Sequence, residues 1–387
     1  MAHFTKLLVV LLSFISFKDS VAQTKSSFEE AAQRVIDDKM LAGFSVAVFD
    51  GQSVLYSNGF GFSDLENKEV YNADTRQIIA SISKLVIATS IMKAQEMGLL
   101  KLDDDINEYL PFDVRNPNYP DEPITIRQLA NHTSSISYSH AISDDYAFSR
   151  LDLTLAEFCK NYFDVEGEWY SKNNYGNYKP GERFDYSNIA ASLAAYIVEY
   201  KTGVSFKQFC EQHIFEPLGL ENTSWFDSEN DRKSCSKLYE LNHKEKSFDE
   251  IEARPIGIYP VRDLTTTVSD LAKLSQLVLN NGSYNDKEII SAASIEEMLE
   301  STVSSKVEGL QSSGQGVFWI MDKNQLGVPA KVIGHSGGDA GIFTMLWINP
   351  KSGKGYIFLS NTGQIEENVG AMIYLWRALN KFGKSLD

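Results

Sequence analysis

The hydrophobic pattern places strand-like segments near both ends of the chain. Residues 43–56 predict a hairpin, because the apolar run Phe44–Phe49 leads into Asp50-Gly51, a favoured two-residue turn. Toward the other end, alternating or continuous apolar positions predict three more strands, at Val332–Ile333, Ile342–Ile348 and Tyr356–Leu359. We therefore expect one sheet built from strands of both chain ends.

Helical periodicity dominates the middle of the chain. A helix is expected from near Ser81 to around Gly98, and residues from about 107 to 255 show a mostly helical pattern broken by loops. Further helices are predicted at Ile189–Tyr200, Ser205–His213, Thr265–Leu279 and roughly 366–381. One sheet with segregated helices is an α+β arrangement, here with 107–255 as a helical insertion.

The first 22 residues have the organisation of an export signal. His3 and Lys6 precede the apolar run Leu7–Phe17, and Ser20-Val21-Ala22 offers small residues for cleavage. The run is shorter than the roughly 20 apolar residues that a bilayer span needs. We expect a mature domain of residues 23–387, a periplasmic or secreted location, and no stable membrane insertion after cleavage.

Composition fits a globular domain and excludes some partners. Hydrophobic residues make up 43% of the chain and charged residues 23%, which is enough apolar material for a core. The net charge of -16 disfavours a nucleic-acid partner, because phosphates require a basic surface. With three cysteines, at least one stays outside a disulfide in a monomer. The histidines show no metal-ligand spacing, so neither a metal nor another cofactor is expected.

Ser81-Ile82-Ser83-Lys84 begins the first predicted helix and carries candidate chemistry. Residues three apart lie on one helix face, so Ser81 and Lys84 can meet whereas Ser83 and Lys84 cannot. A serine hydroxyl needs a partner that takes its proton, and a lysine whose pKa is lowered by burial can be that partner. Alone the pattern is weak evidence for a catalytic site, because a polar helix start with a solvated lysine can have the same sequence.

Further segments strengthen this interpretation. They are Gly59–Glu66, Ile79–Lys84, Ile124–Ser134, Pro180–Asn188, Glu216–Thr223 and Gly334–Gly338. In order and spacing they resemble the serine beta-lactamase-related family: class C beta-lactamases, D-alanyl-D-alanine carboxypeptidases, D-aminopeptidases and related esterases. The resemblance covers roughly residues 30 to 380. It implies a beta-lactamase/transpeptidase-like fold, in which an antiparallel sheet from both chain ends is flanked by helices and a mostly helical subdomain is inserted.

The resemblance also implies roles for individual residues. Ser81 corresponds to the nucleophile, Lys84 and Tyr186 to the residues that transfer protons, and Asn188 to a supporting amide. Whether Lys84 or Tyr186 is the general base stays open. Ser187, between Tyr186 and Asn188, is expected to point away from the site.

A second set of site residues is implied on a C-terminal strand. His335 stands where many relatives have the lysine of Lys-Thr-Gly, and Gly337 allows a close backbone approach. The backbone amide of Gly338 is expected to form the oxyanion hole together with that of Ser81. A literal Lys201-Thr202-Gly203 lies elsewhere and is interpreted as the end of a helix.

Two positions depart from the family pattern. Ser135 replaces a glycine after His132-Thr133-Ser134, a stretch in which His132 is interpreted as structural. Val261-Arg262-Asp263 replaces a small, glycine-rich segment that normally lies near the cleft, so access for the substrate is expected to differ.

The sequence thus predicts an exported serine hydrolase that cleaves an ester or amide through an acyl-enzyme on Ser81. Its partner is a small-molecule or short-peptide substrate, with D-amino-acid peptides and beta-lactams among the candidates. The alternative is a catalytically silent protein of the same fold that binds a peptide or a peptidoglycan fragment. The presence of Ser81, Lys84, Tyr186 and His335 favours the enzyme.

Overall fold

The structure is a computed structural model. It describes residues 21–137, 153–226, 232–253, 256–303 and 307–386. The expected signal segment lies outside these residues except for its last two positions, which belong to a helix, α1, over residues 21–37.

An antiparallel sheet of eight strands forms the centre of the described fold, in the order β10-β11-β12-β13-β14-β1-β2-β3. The strands are β1 (Gly43–Phe49), β2 (Val54–Asp64), β3 (Glu69–Val70), β4 (Gln77–Ile78), β5 (Leu238–Asn242), β6 (Ser247–Ile251), β7 (Thr265–Thr266), β8 (Ser283–Tyr284), β9 (Lys287–Glu288), β10 (Gly314–Gln315), β11 (Ile320–Gln325), β12 (Val328–Asp339), β13 (Ile342–Asn349) and β14 (Lys354–Ser360). Strand β1 pairs with β14, with Phe44 opposite Ser360. This pairing confirms the expected sheet from both chain ends.

Helices cover the sheet and fill the middle of the chain. After α1 they are α2 (Lys84–Glu96), α3 (Ile126–Ala130), α4 (Leu155–Phe163), α5 (Asn188–Thr202), α6 (Phe206–Cys210), α7 (Glu216–Leu218), α8 (Val268–Leu279), α9 (Ala292–Leu299) and α10 (Glu366–Gly383). The predicted helix at 205–213 is the short α6 followed by a π-helical turn, Glu211–Phe215. The hairpin β5–β6 lies within the stretch expected to be mostly helical.

The two faces of the sheet bury different cores, because side chains alternate along each strand. On the inner face, Ala47, Leu346 and Leu359 belong to the core that contains α2, which is buried on nearly all sides. On the outer face, Phe44 and Phe358 belong to a second core with α1 and α10. The apolar character of α2 all round its axis explains its central position.

The described chain is held together by packing rather than by cross-links. No disulfide joins the three cysteines, and Cys159 and Cys210 are buried. Within the described ranges, no helix is both long and apolar enough to cross a membrane. In the same residues, no three histidine, cysteine or acidic side chains converge as metal ligands would.

Candidate active site

A strained turn presents Ser81 at the start of α2. Residues Ala80–Ser83 form one turn of 3-10 helix that runs directly into α2 at Lys84. Ala80 has φ +47°, a conformation that costs a residue with a side chain on the order of 1 kcal/mol or more. The neighbours hold it there: the amide of Ile79 donates to Leu264 O (3.0 Å), and Ser83 Oγ donates to Ala80 O (2.6 Å).

The structure brings Ser81, Lys84 and Tyr186 together. Lys84 Nζ lies 3.0 Å from Ser81 Oγ and donates to the carbonyl oxygen of Val261 at 3.1 Å. From the other side, the Tyr186 hydroxyl donates to Ser81 Oγ at 2.9 Å. The hydroxyl of Ser81 therefore has a nitrogen and a phenol within hydrogen-bond distance.

The environment of Lys84 favours its neutral form. The side chain is fully buried, and this burial lowers the pKa of Lys84 from 10.5 to about 7. Lys84 is also the first residue of α2, where the helix dipole is positive and disfavours a second positive charge. Near neutral pH a substantial fraction of this lysine consequently carries a lone pair.

The pKa of Tyr186 shifts in the opposite direction from that of Lys84, and this shift also favours the neutral side chain. Tyr186 is 38% exposed, and its hydroxyl donates to Ser81 Oγ. Desolvation raises the pKa of the Tyr186 phenol above its ordinary value, and the hydrogen bond with Ser81 only partly offsets this. Lys84 Nζ lies 5.1 Å from the centre of the Tyr186 ring. The phenol keeps its proton at neutral pH.

His132 supports Tyr186, a contact that the sequence did not reveal. Its ring centre lies 4.4 Å from that of Tyr186. Its Nδ1 accepts from the amide of Ser187 (3.3 Å), and its carbonyl oxygen accepts from the amide of Asp185 (2.8 Å). His132 thus fixes both chain neighbours of Tyr186. Burial and the nearby Lys84 hold the pKa of His132 well below its usual range.

Ser187 and Asn188 begin α5 beneath the site. Ser187 Oγ accepts from the amide of Ala190 at 3.0 Å and caps the helix, so it points away from the site as predicted. Asn188 Oδ1 is buried and has no hydrogen-bond partner among the described residues. A buried amide oxygen without a donor costs stability.

Strand β12 packs against the turn that contains Ser81. A Cβ atom at Gly337 would lie 2.9 Å from the backbone nitrogen of Ser81 and 2.4 Å from Ile79 O, so only glycine fits there. At Gly338 a Cβ would meet nothing within 4 Å. His335 is buried with Nδ1 beside Ser336 O, and burial and Lys84 lower the pKa of His335 to about 3.

The Beta-lactamase family model matches residues 28–381 of this chain. The chain belongs to the beta-lactamase family. The three side chains that the motifs singled out, Ser81, Lys84 and Tyr186, lie together in this fold.

Two curated relatives of this beta-lactamase-family protein illustrate the breadth of the group. Penicillin-binding protein 4* of Bacillus subtilis is 24% identical over 374 residues, covering 91% of this chain and 75% of the relative. Protein flp of Staphylococcus aureus is 26% identical over 321 residues, covering 83% of this chain. This chain spans only 60% of the length of Protein flp.

Solved structures of the family share the fold. An octameric penicillin-binding protein homologue from Pyrococcus abyssi superposes with a TM-score of 0.71 at 26% identity, covering 93% of this chain and 77% of that one. A beta-lactamase/D-alanine carboxypeptidase from Yersinia pestis gives a TM-score of 0.72 at 20% identity, covering 95% and 99%. These likenesses confirm the predicted beta-lactamase/transpeptidase-like α+β fold.

The departure at Val261-Arg262-Asp263 borders the site of this family member. Val261 supplies the carbonyl oxygen that binds Lys84. Arg262 bonds to Asp263 at 2.9 Å and to Asp339 at the end of β12. Asp263 is buried, which raises its pKa to about 6, and its Oδ2 accepts from the amide of Ile256 at 2.8 Å.

The other departure has a backbone explanation. Ser135 adopts φ +61°, a conformation that glycine reaches at lower cost, and its hydroxyl accepts from Asn116 Nδ2 at 2.9 Å. That hydrogen bond gives the serine a partner that glycine would lack. As predicted, Gly203 of Lys201-Thr202-Gly203 terminates α5, with φ +72°.

Proposed function

We propose that this protein is a serine hydrolase that cleaves an ester or an amide through an acyl-enzyme on Ser81. The observation that carries the proposal is the position of the Ser81 hydroxyl, 3.0 Å from Lys84 Nζ and 2.9 Å from the Tyr186 hydroxyl. A nucleophile, a base of matched pKa and a second proton carrier within hydrogen-bond distance are the requirements of acyl transfer.

Lys84 acts as the base in acylation. In its neutral form Lys84 keeps an N–H for the carbonyl of Val261 and has a lone pair that can accept the proton of Ser81, whose Oγ lies 3.0 Å away. As Ser81 Oγ bonds to the substrate carbonyl carbon, its proton moves to Lys84 Nζ. The raised pKa of Tyr186 argues against a phenolate in this role.

The tetrahedral intermediate carries a negative oxygen, which the backbone amides of Ser81 and Gly338 bind. Gly337 allows the strand to lie close to the turn that carries Ser81. The intermediate then collapses to the acyl-enzyme. The bond to the alcohol or amine leaving group breaks. The proton held by Lys84 passes through the Tyr186 hydroxyl to that leaving group, so Lys84 and Tyr186 return to their starting forms.

Deacylation repeats these steps with water as the nucleophile. Lys84 takes a proton from the attacking water, the ester bond to Ser81 breaks, and Ser81 Oγ regains a proton as the carboxylic acid leaves. Asn188, assigned to the site by its motif, has a side-chain amide that can hydrogen-bond Lys84 or a substrate carbonyl.

The substrate class and the location belong to the same proposal. Two relatives are named as penicillin-binding proteins, and the Yersinia pestis neighbour is named as a D-alanine carboxypeptidase, so D-amino-acid peptides and beta-lactams are candidates beside simple esters. The apolar N-terminal run supports action in the periplasm or outside the cell.

A covalent probe tests the proposal directly. A fluorophosphonate should label folded wild-type protein once per chain, as seen by intact-protein mass spectrometry, and Ser81→Ala should remain unlabelled. Tyr186→Phe should label at least ~10²-fold more slowly, the usual scale for loss of a positioned acid or base. A silent binding protein would give no adduct on Ser81, and that result would overturn the proposal.

A further inference from the structure

An ion pair joins the two sides of the candidate active site. Arg262 follows Val261, whose carbonyl binds Lys84, and Asp339 follows Gly338 on the strand that lies against Ser81. The Arg262 guanidinium donates to Asp339 and, at 2.9 Å, to Asp263. Both ends of the Arg262–Asp339 pair are thus anchored within two residues of a site contact.

The carboxylates of Asp339 and Asp263 neutralise the positive charge of Arg262. Its side chain is only 18% exposed, and that of Asp339 is 37% exposed. Its other partner, Asp263, is held in place by the amide of Ile256 at 2.8 Å. A guanidinium with two carboxylate partners has little capacity left for a third anion.

Among the described residues, two other basic side chains close to the site in the chain or in space are neutral or already paired. His335 is neutral, and Arg183 is turned to the Tyr178 ring and to Glu308. Gly338 and Asp339 also line a groove of about 540 Å³. Its described lining adds two more acidic residues, Glu240 and Glu366, and includes no lysine or arginine.

We propose that the Arg262–Asp339 ion pair makes this cleft discriminate against substrates that carry a carboxylate, in favour of uncharged esters and amides. The inference rests on the serine-hydrolase function proposed above and specifies its substrate class. A carboxylate bound here would have to displace Asp339 from Arg262 or enter a field of negative charge, and either costs free energy. Beta-lactams and peptides with a free carboxylate are accordingly poor substrates.

Two esters of equal length test this discrimination. 4-Nitrophenyl pentanoate is uncharged, and mono-4-nitrophenyl glutarate carries a terminal carboxylate on an acyl chain of the same length. At about pH 8, where Lys84 is mostly neutral, wild-type kcat/KM should be at least ~10-fold lower for the glutarate ester. Asp339→Asn keeps the side-chain shape and removes the negative charge of Asp339 while Arg262 stays paired with Asp263, so the glutarate/pentanoate ratio should rise by about tenfold.

Two further variants separate the ion pair from overall charge. Glu240→Gln removes one negative charge from the same groove and leaves the Arg262–Asp339 pair intact, so its glutarate/pentanoate ratio should rise much less than that of Asp339→Asn. Arg262→Gln combined with Asp339→Asn should remove the gain of the single variant. Because each ratio is taken within one protein, partial unfolding of a variant cancels.

The outcomes also distinguish this inference from the proposed function. Equal kcat/KM of wild type for the two esters, or an unchanged ratio in Asp339→Asn, would overturn the role of the ion pair while leaving the hydrolase intact. Absence of turnover of both esters by folded wild-type protein would overturn the proposed function together with this inference.

Discussion

Two buried lysines lie on opposite faces of the central sheet, and their surroundings give them different roles. On the inner face, Lys84 is the first residue of α2 and touches only uncharged groups in its hydrogen bonds, to Ser81 and Val261. On the outer face, Lys354 donates to the carbonyl of Gly383, the last residue of α10, at 3.0 Å. A helix begins with partial positive charge and ends with partial negative charge. The same side chain is therefore electrostatically opposed at one site and stabilised at the other.

The neighbours of the two lysines differ as well. Lys84 follows the strained Ala80 and acts electrostatically on the buried His335, whose Nε2 has no hydrogen-bond partner among the described residues. Near Lys354, the rings of Tyr356 and Trp376 pack edge to face at 6.2 Å. Backbone strain costs stability, so its presence in the turn that carries Ser81 is expected of a site selected for chemistry.

Replacing Lys84 should produce the largest effect. Lys84→Met should lower acylation of Ser81 by at least ~10²-fold, because the base is lost. The same change should raise the free energy of unfolding at pH 7 by about 1–3 kcal/mol, because a buried amine with a lowered pKa is removed. Rapid-mixing kinetics and urea denaturation measure the two effects.

The stability gain of Lys84→Met has a required pH dependence. The pKa of Lys84 is about 7 in the folded state and near 10.5 when unfolded, so the unfolded chain binds more protons between these values. Wild-type stability from this group consequently rises with pH across that window, and the advantage of the variant should shrink by pH 10. A variant less stable than wild type at pH 7 would contradict the environment described for Lys84.

The pH dependence of kcat/KM in the wild-type enzyme should report the ionisation of Lys84. Since only neutral Lys84 accepts the proton of Ser81, kcat/KM should rise about tenfold per pH unit below pH 7 and level off above it. Tyr186→Phe should keep this limb at a lower rate, whereas loss of the limb would identify the phenol as the base. Asp263, whose pKa is about 6, is the nearby alternative, and Asp263→Asn should leave the limb in place.

A glycine-to-alanine substitution on the inner face of the sheet should lower activity, whereas one on the outer face should raise stability. Gly337→Ala should lower kcat/KM by at least ~10-fold, because its Cβ would press on the backbone of Ser81 and Ile79. Gly370→Ala lies on α10, where a Cβ meets nothing within 4 Å, and should raise the free energy of unfolding by about 0.5–1 kcal/mol. Ester turnover and thermal denaturation of both variants make the comparison, and equal activity in Gly337→Ala would contradict the close contact.

Replacing Lys354 should give the smallest effect on catalysis. Lys354→Met should reduce the free energy of unfolding by about 1–2 kcal/mol, because the buried carbonyl of Gly383 loses its donor. Turnover per folded molecule should remain that of wild type. A loss of turnover at unchanged stability would mean that the two faces are coupled more strongly than their separate cores suggest.

The sequence predicted the parts of the site that depend on spacing along the chain. Ser81 and Lys84 are three residues apart on a helical segment, so their contact follows from helix geometry alone. Tyr186 and Gly337 were predicted only through the family motifs, because no local rule brings positions so distant in the chain to Ser81. The sheet from both ends was predictable because its strands have strong apolar patterns.

The contacts that the sequence missed are mainly made by backbone atoms or by long-range pairs. The carbonyl of Val261 binds Lys84, and a carbonyl has no signature in the amino-acid letters. His132 was interpreted as structural, and only the folded chain places its ring on Tyr186. The pairing of Arg262 with Asp339 joins residues that no periodicity connects.

The pairing of β1 with β14 makes the central sheet depend on both ends of the chain. Ser360 Oγ donates to the carbonyl of Gly43, a residue 317 positions earlier. Strand β1 leaves the ribosome long before its partner exists, and contacts of such long range make folding slow. The turn that contains Ser81 also packs against β12, which follows it by about 250 residues in the chain. Ser81 is therefore synthesised long before the strand that supports it. The candidate site is therefore complete only after β12 and β14 have joined the sheet.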